Sequence, residues 1–175
     1  MSHYDVLISG LGPTGAVLAG LLGQRGVKVA VFDLTDALYP APRAIGLDHE
    51  ALRIVQELGI SDQLGPVIDR YRPSEYRGMD GQLIKRLDTE PPPHRLGWEP
   101  NYVFNQPLFE RLVRTRLDTL ASVSVFTCAE VKGVSHTADG VAVRVNHLRE
   151  GREDTCTARF LVACDGGSSP IRKSL

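Results

Sequence analysis

The stretch Tyr4–Asp33, YDVLISGLGPTGAVLAGLLGQRGVKVAVFD, decides the fold. Its apolar run Val6–Ser9 predicts a strand that enters the turn Gly10-Leu11-Gly12-Pro13-Thr14-Gly15. A helix of small and apolar residues follows, then Gly26, then a second strand, Val27–Phe32, ending on Asp33. That order is the strand–turn–helix–strand unit of a dinucleotide site, and each glycine has a physical reason. Gly10 permits the tight turn out of the strand. Gly12 has no Cβ, so a pyrophosphate can approach the backbone. Gly15 lets the helix pack close to the strand. Pro13 and Thr14 stand between the second and third glycines and are counted with them as cofactor-binding. The helix start offers N–H groups without intrahelical partners and the positive end of the helix dipole. Asp33 comes eighteen residues after Gly15, where its carboxylate can accept from both ribose hydroxyls. A 2′-phosphate there would meet like charge, so NADP is disfavoured at this first site. Ala19, Leu22, Gly26 and Val29 fall where close strand–helix packing wants them. The competing reading is a glycine-rich turn in an ordinary α/β domain.

A length of 175 residues predicts one domain, 1–175, with a sizeable core. Hydrophobic residues make up 42% and charged residues 23%, ordinary values for a globular protein. The net charge of −1 gives no electrostatic footprint for nucleic acid. The longest apolar stretch, Ala16–Leu22, is too short to span a membrane, and the first apolar run is consumed by the first strand, so neither a transmembrane segment nor a signal peptide is expected. Cys128, Cys156 and Cys164 have no metal-type spacing; they read as thiols in a reducing cytoplasm, with Cys164 buried. The five histidines are scattered, so no metal site is predicted.

Further along, Leu34–Gly46 reads as a loop. Asp48 caps a helix to about Leu58 whose apolar face is Ala51, Leu52, Ile54, Val55 and Leu58, with Gly59 as its stop. Residues 67–88 predict short strands around Gly78-Met79-Asp80-Gly81. Glu90–Pro100 is a proline-rich loop. Tyr102–Phe104 predicts a strand, and Pro107 opens a helix to Leu120 with Leu108, Phe109, Leu112, Val113, Leu117 and Leu120 on one side. Arg111, Arg114 and Asp118 on its other side read as a solvated face. Val123–Phe126 predicts a buried strand, 129–159 a β-hairpin or meander, and Phe160–Cys164 a parallel core strand. The fold class is therefore α/β: a Rossmann-like dinucleotide-binding fold with a parallel sheet and a β-meander. Tyr71, Tyr76 and Trp98 read as packing residues with a pocket role as the alternative.

The core strand leads into Asp165-Gly166-Gly167-Ser168-Ser169-Pro170-Ile171-Arg172, a second loop at a strand's carboxyl end. The segment FLVACDGGSSPIR resembles the Asp-Gly motif, DGxxSxxR, of the FAD-dependent aromatic hydroxylases, with Asp165, Gly166, Ser169 and Arg172 matching. Pro42-Arg43-Ala44-Ile45-Gly46-Leu47-Asp48 and Asn105-Gln106-Pro107-Leu108 resemble two more of that family's segments. In texture the chain is most similar to the phenolic-acid and polyketide hydroxylases, including those acting on 3-(3-hydroxyphenyl)propanoate.

The resemblance implies FAD as cofactor, NADH or NADPH as co-substrate, and hydroxylation of a small phenolic or aromatic substrate with O₂. It implies that Asp165 and Gly166 contact the riboflavin side of FAD, that Arg43 lies near the pyrophosphate and flavin, and that Gln106 touches the cofactor. Arg43 as a plain surface charge and Gln106 as a plain helix-start residue are the alternatives. No protein nucleophile is implied, and the catalytic residues are left unknown. Family members are longer and carry a substrate-domain sheet and a Gly-Asp motif beyond the Asp-Gly motif. The chain ends at Leu175 without them, so it is expected to be the N-terminal part of a hydroxylase, with 67–104 contributing to a partial substrate-domain region. Such a part is expected to self-associate through an exposed sheet edge and to produce no hydroxylated product alone. Other readings are another flavin oxidoreductase such as a halogenase, a catalytically silent nucleotide-binding module, and an NAD-only dehydrogenase, which leaves Asp165–Arg172 unexplained.

Overall fold

The computed structural model describes residues 2–175. They fall into two compact units: residues up to Tyr39 together with Glu110–Leu175, and Pro40–Phe109.

The first unit is built on a six-stranded sheet. Strand β1 (Ser2–Ser9) runs into helix α1 (Pro13–Gly23) and returns as β2 (Val29–Phe32), parallel to β1. The strand side of this unit is as apolar as the sequence reads: Leu7, Ile8, Val29, Ala30 and Val31 are fully buried and Phe32 nearly so. A strand covered on both faces reads as a continuous apolar run rather than an alternation. In the second unit, β3 (Gly46–Asp48), β7 (Asn101–Phe104) and β4 (Ile68–Arg70) form an antiparallel three-stranded sheet. Helix α2 (His49–Glu57) starts where expected, because the Asp48 carboxylate accepts from the Ala51 N–H at 2.7 Å. Strands β5 (Ser74–Arg77) and β6 (Leu83–Leu87) pair as the hairpin that the Gly78–Gly81 turn predicts.

Helix α3 (Gln106–Leu117) begins in the second unit and continues in the first. It stops short of the expected Leu120. There β8 (Val123–Phe126), β9 (Ala129–Thr137), β10 (Gly140–His147) and β11 (Arg152–Ala163) complete the six-stranded sheet in the order β8-β2-β1-β11-β10-β9. Short helix α4 (Pro170–Ser174) closes the chain. The first four strands in that order are parallel and the last two antiparallel. The predicted parallel sheet and meander are thus one sheet.

Several local readings need correction. Phe160–Cys164 is not a separate core strand. It is the end of β11, which is antiparallel to β10 at one end and parallel to β1 along most of its length. Phe160 is 58% exposed, with the Arg159 guanidinium 5.5 Å from its ring centroid. Cys164 is only half-buried, whereas Cys156 is buried. Strand β8 lies at the sheet edge, so Val125 faces outward. Ile54 is exposed, because α2 packs through Leu52 and Val55, followed by Leu58. No helix among the described residues is long and apolar enough to cross a membrane.

Candidate functional site

Two loops leave neighbouring parallel strands at their carboxyl ends: the turn after β1 and the segment after β11. The chain continues from β1 to β2 on one side, while β11 lies on the other, so the two loops diverge at a switch in strand order. In open α/β sheets that is where ligands bind.

The β1 turn is fixed by contact. Gly10 has φ +101°, and a Cβ there would lie 2.2 Å from the Cys164 carbonyl oxygen, so the turn is pressed against the second loop. A Cβ on Gly15 would lie 2.0 Å from the Gly10 carbonyl oxygen. Gly12 is different: nothing stands within 4 Å of its Cβ position, and its φ of −70° suits any residue. Its hydrogen atom therefore faces open space that a ligand can enter. Helix α1 begins there with Pro13 at its start, no side-chain cap and no acidic residue in its first turn. Thr14 is exposed and Pro13 half-buried. The helix start is left as an anion-accepting end.

Asp33, half-buried at the end of β2, reaches back to this turn. Its Oδ2 accepts from the Leu11 N–H at 2.7 Å, and its Oδ1 accepts from the Thr35 N–H at 2.9 Å and from the Thr35 hydroxyl at 3.0 Å. An ionised carboxylate has about four acceptor sites, so capacity remains for a further donor.

In the second loop, Asp165 is half-buried and Gly166 is exposed with φ +87°. Asp165 Oδ2 accepts a long bond, 3.4 Å, from the Ile171 N–H, while its buried Oδ1 has no partner in the chain. Most buried polar atoms are hydrogen-bonded, and an orphaned carboxylate oxygen at a strand end marks a position where a ligand donor fits. Ser169 caps α4 by accepting from the Arg172 N–H at 3.0 Å, and Arg172 donates to the Gly167 carbonyl at 2.6 Å. These two residues of the motif shape the loop. Burial, with the Asp165 charge adding to it, pushes the Cys164 thiol above its ordinary value. It is held protonated and is a poor nucleophile.

Sequence reasoning missed Arg114. It is not on a solvated face: its side chain is 20% exposed, and it donates to the Leu11 carbonyl at 3.2 Å. The Glu110/Arg114 spacing, one helical turn apart with both charges on one face, was the available signal.

In the second unit the structure brings Arg43 and Gln106 together. Buried Gln106 accepts through Oε1 from the Arg43 and Ala44 N–H groups, both at 2.8 Å. The glutamine thereby fixes the loop that carries Arg43, whose residue is exposed. The Trp98 indole N–H donates to Gln56, and its ring meets Tyr102 edge-on. Tyr71 bonds to Ser74, and Tyr76 is 56% exposed. Among the described residues no cluster of His, Cys, Asp and Glu could hold a metal.

The FAD binding domain family matches residues 3–175. The 3-(3-hydroxy-phenyl)propionate/3-hydroxycinnamic acid hydroxylase of Escherichia coli is 34% identical over 98% of the chain. A hydroxylase of the same description from Burkholderia vietnamiensis is 36% identical over 99% of it. The chain spans about 30% of the length of these curated relatives. The crystal structure of p-nitrophenol 4-monooxygenase from Pseudomonas putida superposes with a TM-score of 0.85, at 22% identity, over 98% of this chain and 43% of that one. That likeness shows the α/β fold, and the family match adds the cofactor class. The open side of Gly12, the uncapped start of α1 and the orphaned Asp165 oxygen fit such a cofactor. The chain belongs to the FAD binding domain family.

Proposed function

We propose that residues 1–175 are the FAD-binding unit of a flavin-dependent aromatic monooxygenase, which hydroxylates a phenolic substrate with O₂ and with NADH or NADPH as electron donor. The observation that carries this reading is the pair of strand-end loops: open space at Gly12 beside an uncapped helix start, next to a buried Asp165 oxygen that nothing in the chain satisfies. Bound FAD supplies the redox chemistry.

The chain's own residues hold and orient. Gly10 and Gly15 set the turn, and Gly12, Pro13 and Thr14 border the pyrophosphate. The first N–H groups of α1 face its charge. Asp33 takes the ribose hydroxyls and repels a 2′-phosphate. Asp165 and Gly166 take the riboflavin side. Arg43 and Gln106 are counted as cofactor contacts too, Gln106 by setting the Arg43 loop as well. Residues 67–104 belong to the substrate-domain side of the parent fold. The unpaired cysteines Cys128, Cys156 and Cys164 suit a cytoplasmic setting. The outer strands β8 and β9 offer edges for self-association.

The test is equilibrium titration with FAD, followed by flavin fluorescence, with FMN in parallel. Saturable FAD binding with FMN much weaker is expected, because the proposed contacts lie largely on the ADP half. No FAD binding, or equal affinity for FMN, contradicts the reading. Incubating the FAD complex with NADH or NADPH, O₂ and phenolic acids should give no hydroxylated product from residues 1–175 alone, and stoichiometric product would show that this part is already a complete enzyme.

A further inference from the structure

We infer that Arg114 is a positioning residue for the nucleotide turn: by holding the Leu11 carbonyl it aims the Gly12 N–H at the ligand. The inference rests on the FAD reading above. Two peptide planes make up the turn. The plane between Gly10 and Leu11 is fixed from both sides. Its N–H is held by Asp33 at 2.7 Å, and its Gly10 carbonyl lies against Gly15, where an added Cβ would come to 2.0 Å. The plane between Leu11 and Gly12 is held by the bond from the Arg114 Nη2 to the Leu11 carbonyl at 3.2 Å. In a trans peptide the C=O and N–H point in opposite directions. Drawing the Leu11 carbonyl toward α3 therefore turns the Gly12 N–H away from α3. A charged donor on the carbonyl also polarises the same peptide and strengthens its N–H as a donor.

Arg114 is an odd choice for stability alone. Its Nε is buried with no partner in the chain, and its nearest acid, the buried Glu110, is 4.0 Å from Nη2. A cation with a buried, unsatisfied donor carries a desolvation cost that its remaining contacts offset only in part. Arginine here is explained by what it does to the turn.

The experiment compares the unsubstituted chain with Arg114→Met and Arg114→Lys by thermal unfolding, FAD titration and NMR of the Leu11 carbonyl carbon and Gly12 amide. For Arg114→Met the expectation is a lower Tm, because buried Glu110 loses its neighbouring cation, together with FAD affinity of the folded variant reduced about tenfold, the scale of one lost charge-assisted hydrogen bond, and an upfield shift of the Leu11 carbonyl. Arg114→Lys, which keeps the charge, should recover part of the affinity and of the carbonyl shift. A merely structural arginine would lower Tm likewise but leave the affinity of the folded variant unchanged. Wild-type FAD affinity in folded Arg114→Met, or an unmoved Leu11 carbonyl, overturns the inference. Absence of FAD binding by the unsubstituted chain would sink the nucleotide reading instead, and the carbonyl shift alone would then decide whether Arg114 holds Leu11.

Discussion

The loops that follow β1 and β11 sit side by side at the same sheet edge, yet they are held in opposite ways. The turn Gly10–Gly15 is over-determined: backbone contacts at Gly10 and Gly15, Asp33 on the Leu11 N–H, and Arg114 on the Leu11 carbonyl. The loop from Asp165 to Ser169 is under-satisfied, with a buried carboxylate oxygen unpaired and a 3.4 Å bond on the other. The difference separates two ways of preparing a site. The first loop presents a rigid, open surface. The second keeps acceptor capacity in reserve until a donor arrives, at some expense in stability.

The sharpest way to break this comparison is inside the first loop. Gly15→Ala and Gly12→Ala are the same chemical change one helical turn-start apart. In a helix, Gly to Ala normally stabilises by roughly 0.5–1 kcal/mol. At Gly15 the new methyl meets a backbone carbonyl at 2.0 Å, which must move, so the substitution should destabilise by about 3 kcal/mol or more. At Gly12 the methyl enters open space, and stability should change by no more than about 0.5 kcal/mol. Gly12→Val should likewise fold, while losing FAD binding, because its branches occupy the pyrophosphate position. Chemical denaturation and FAD titration check the set. Equal stability losses at both glycines would remove the distinction between packing and ligand-facing positions.

A smaller effect is expected in the second loop. Asp165→Asn keeps the shape and removes the unpaired charge. Its stability should stay level or rise by about 1 kcal/mol, while FAD affinity falls about tenfold. A clear loss of stability with unchanged FAD affinity would make Asp165 a structural residue.

The smallest effect concerns Cys164. Its thiol is raised by burial first and by the Asp165 charge second, from an ordinary 9.0. A raised thiol pKa means a contribution to stability that is complete below the ordinary value and lost as pH rises through the folded one. Alkylation of Cys164 near pH 8 should therefore be slower than in the unfolded chain. Asp165→Asn should speed it slightly, because the neighbouring charge is removed. Cys164 reacting as fast folded as unfolded would contradict this.

How much of this was legible beforehand divides along physical lines. The β1–α1–β2 unit was readable because glycine is demanded at Gly10 by its positive φ and at Gly15 by the nearby Gly10 carbonyl, both local to the turn, and the Asp48 cap because it is a local hydrogen bond. Strand β11 was misread as two pieces. Its composition changes along its length while the strand itself runs on unbroken, and the exchange of β10 for β1 as pairing partner is a tertiary fact. The spacing of Arg114 from Glu110 signalled a paired charge on the helix, but its target could not be read there, since only the fold brings α3 to the Leu11 carbonyl. The expectation of a cofactor contact at Gln106 did not foresee that its Oε1 would hold the Arg43 and Ala44 backbone.

The central claim is that both strand-end loops receive one ligand, FAD. It is tested most directly by assigning the backbone amides of the chain and adding FAD. The account predicts concerted shifts at Gly10, Gly12, Thr14, Gly15 and Asp33 in the first region and at Asp165 and Gly166 in the second, saturating at one common ligand concentration. Shifts confined to one loop, saturation at two different concentrations, or perturbations centred elsewhere in the chain would contradict it.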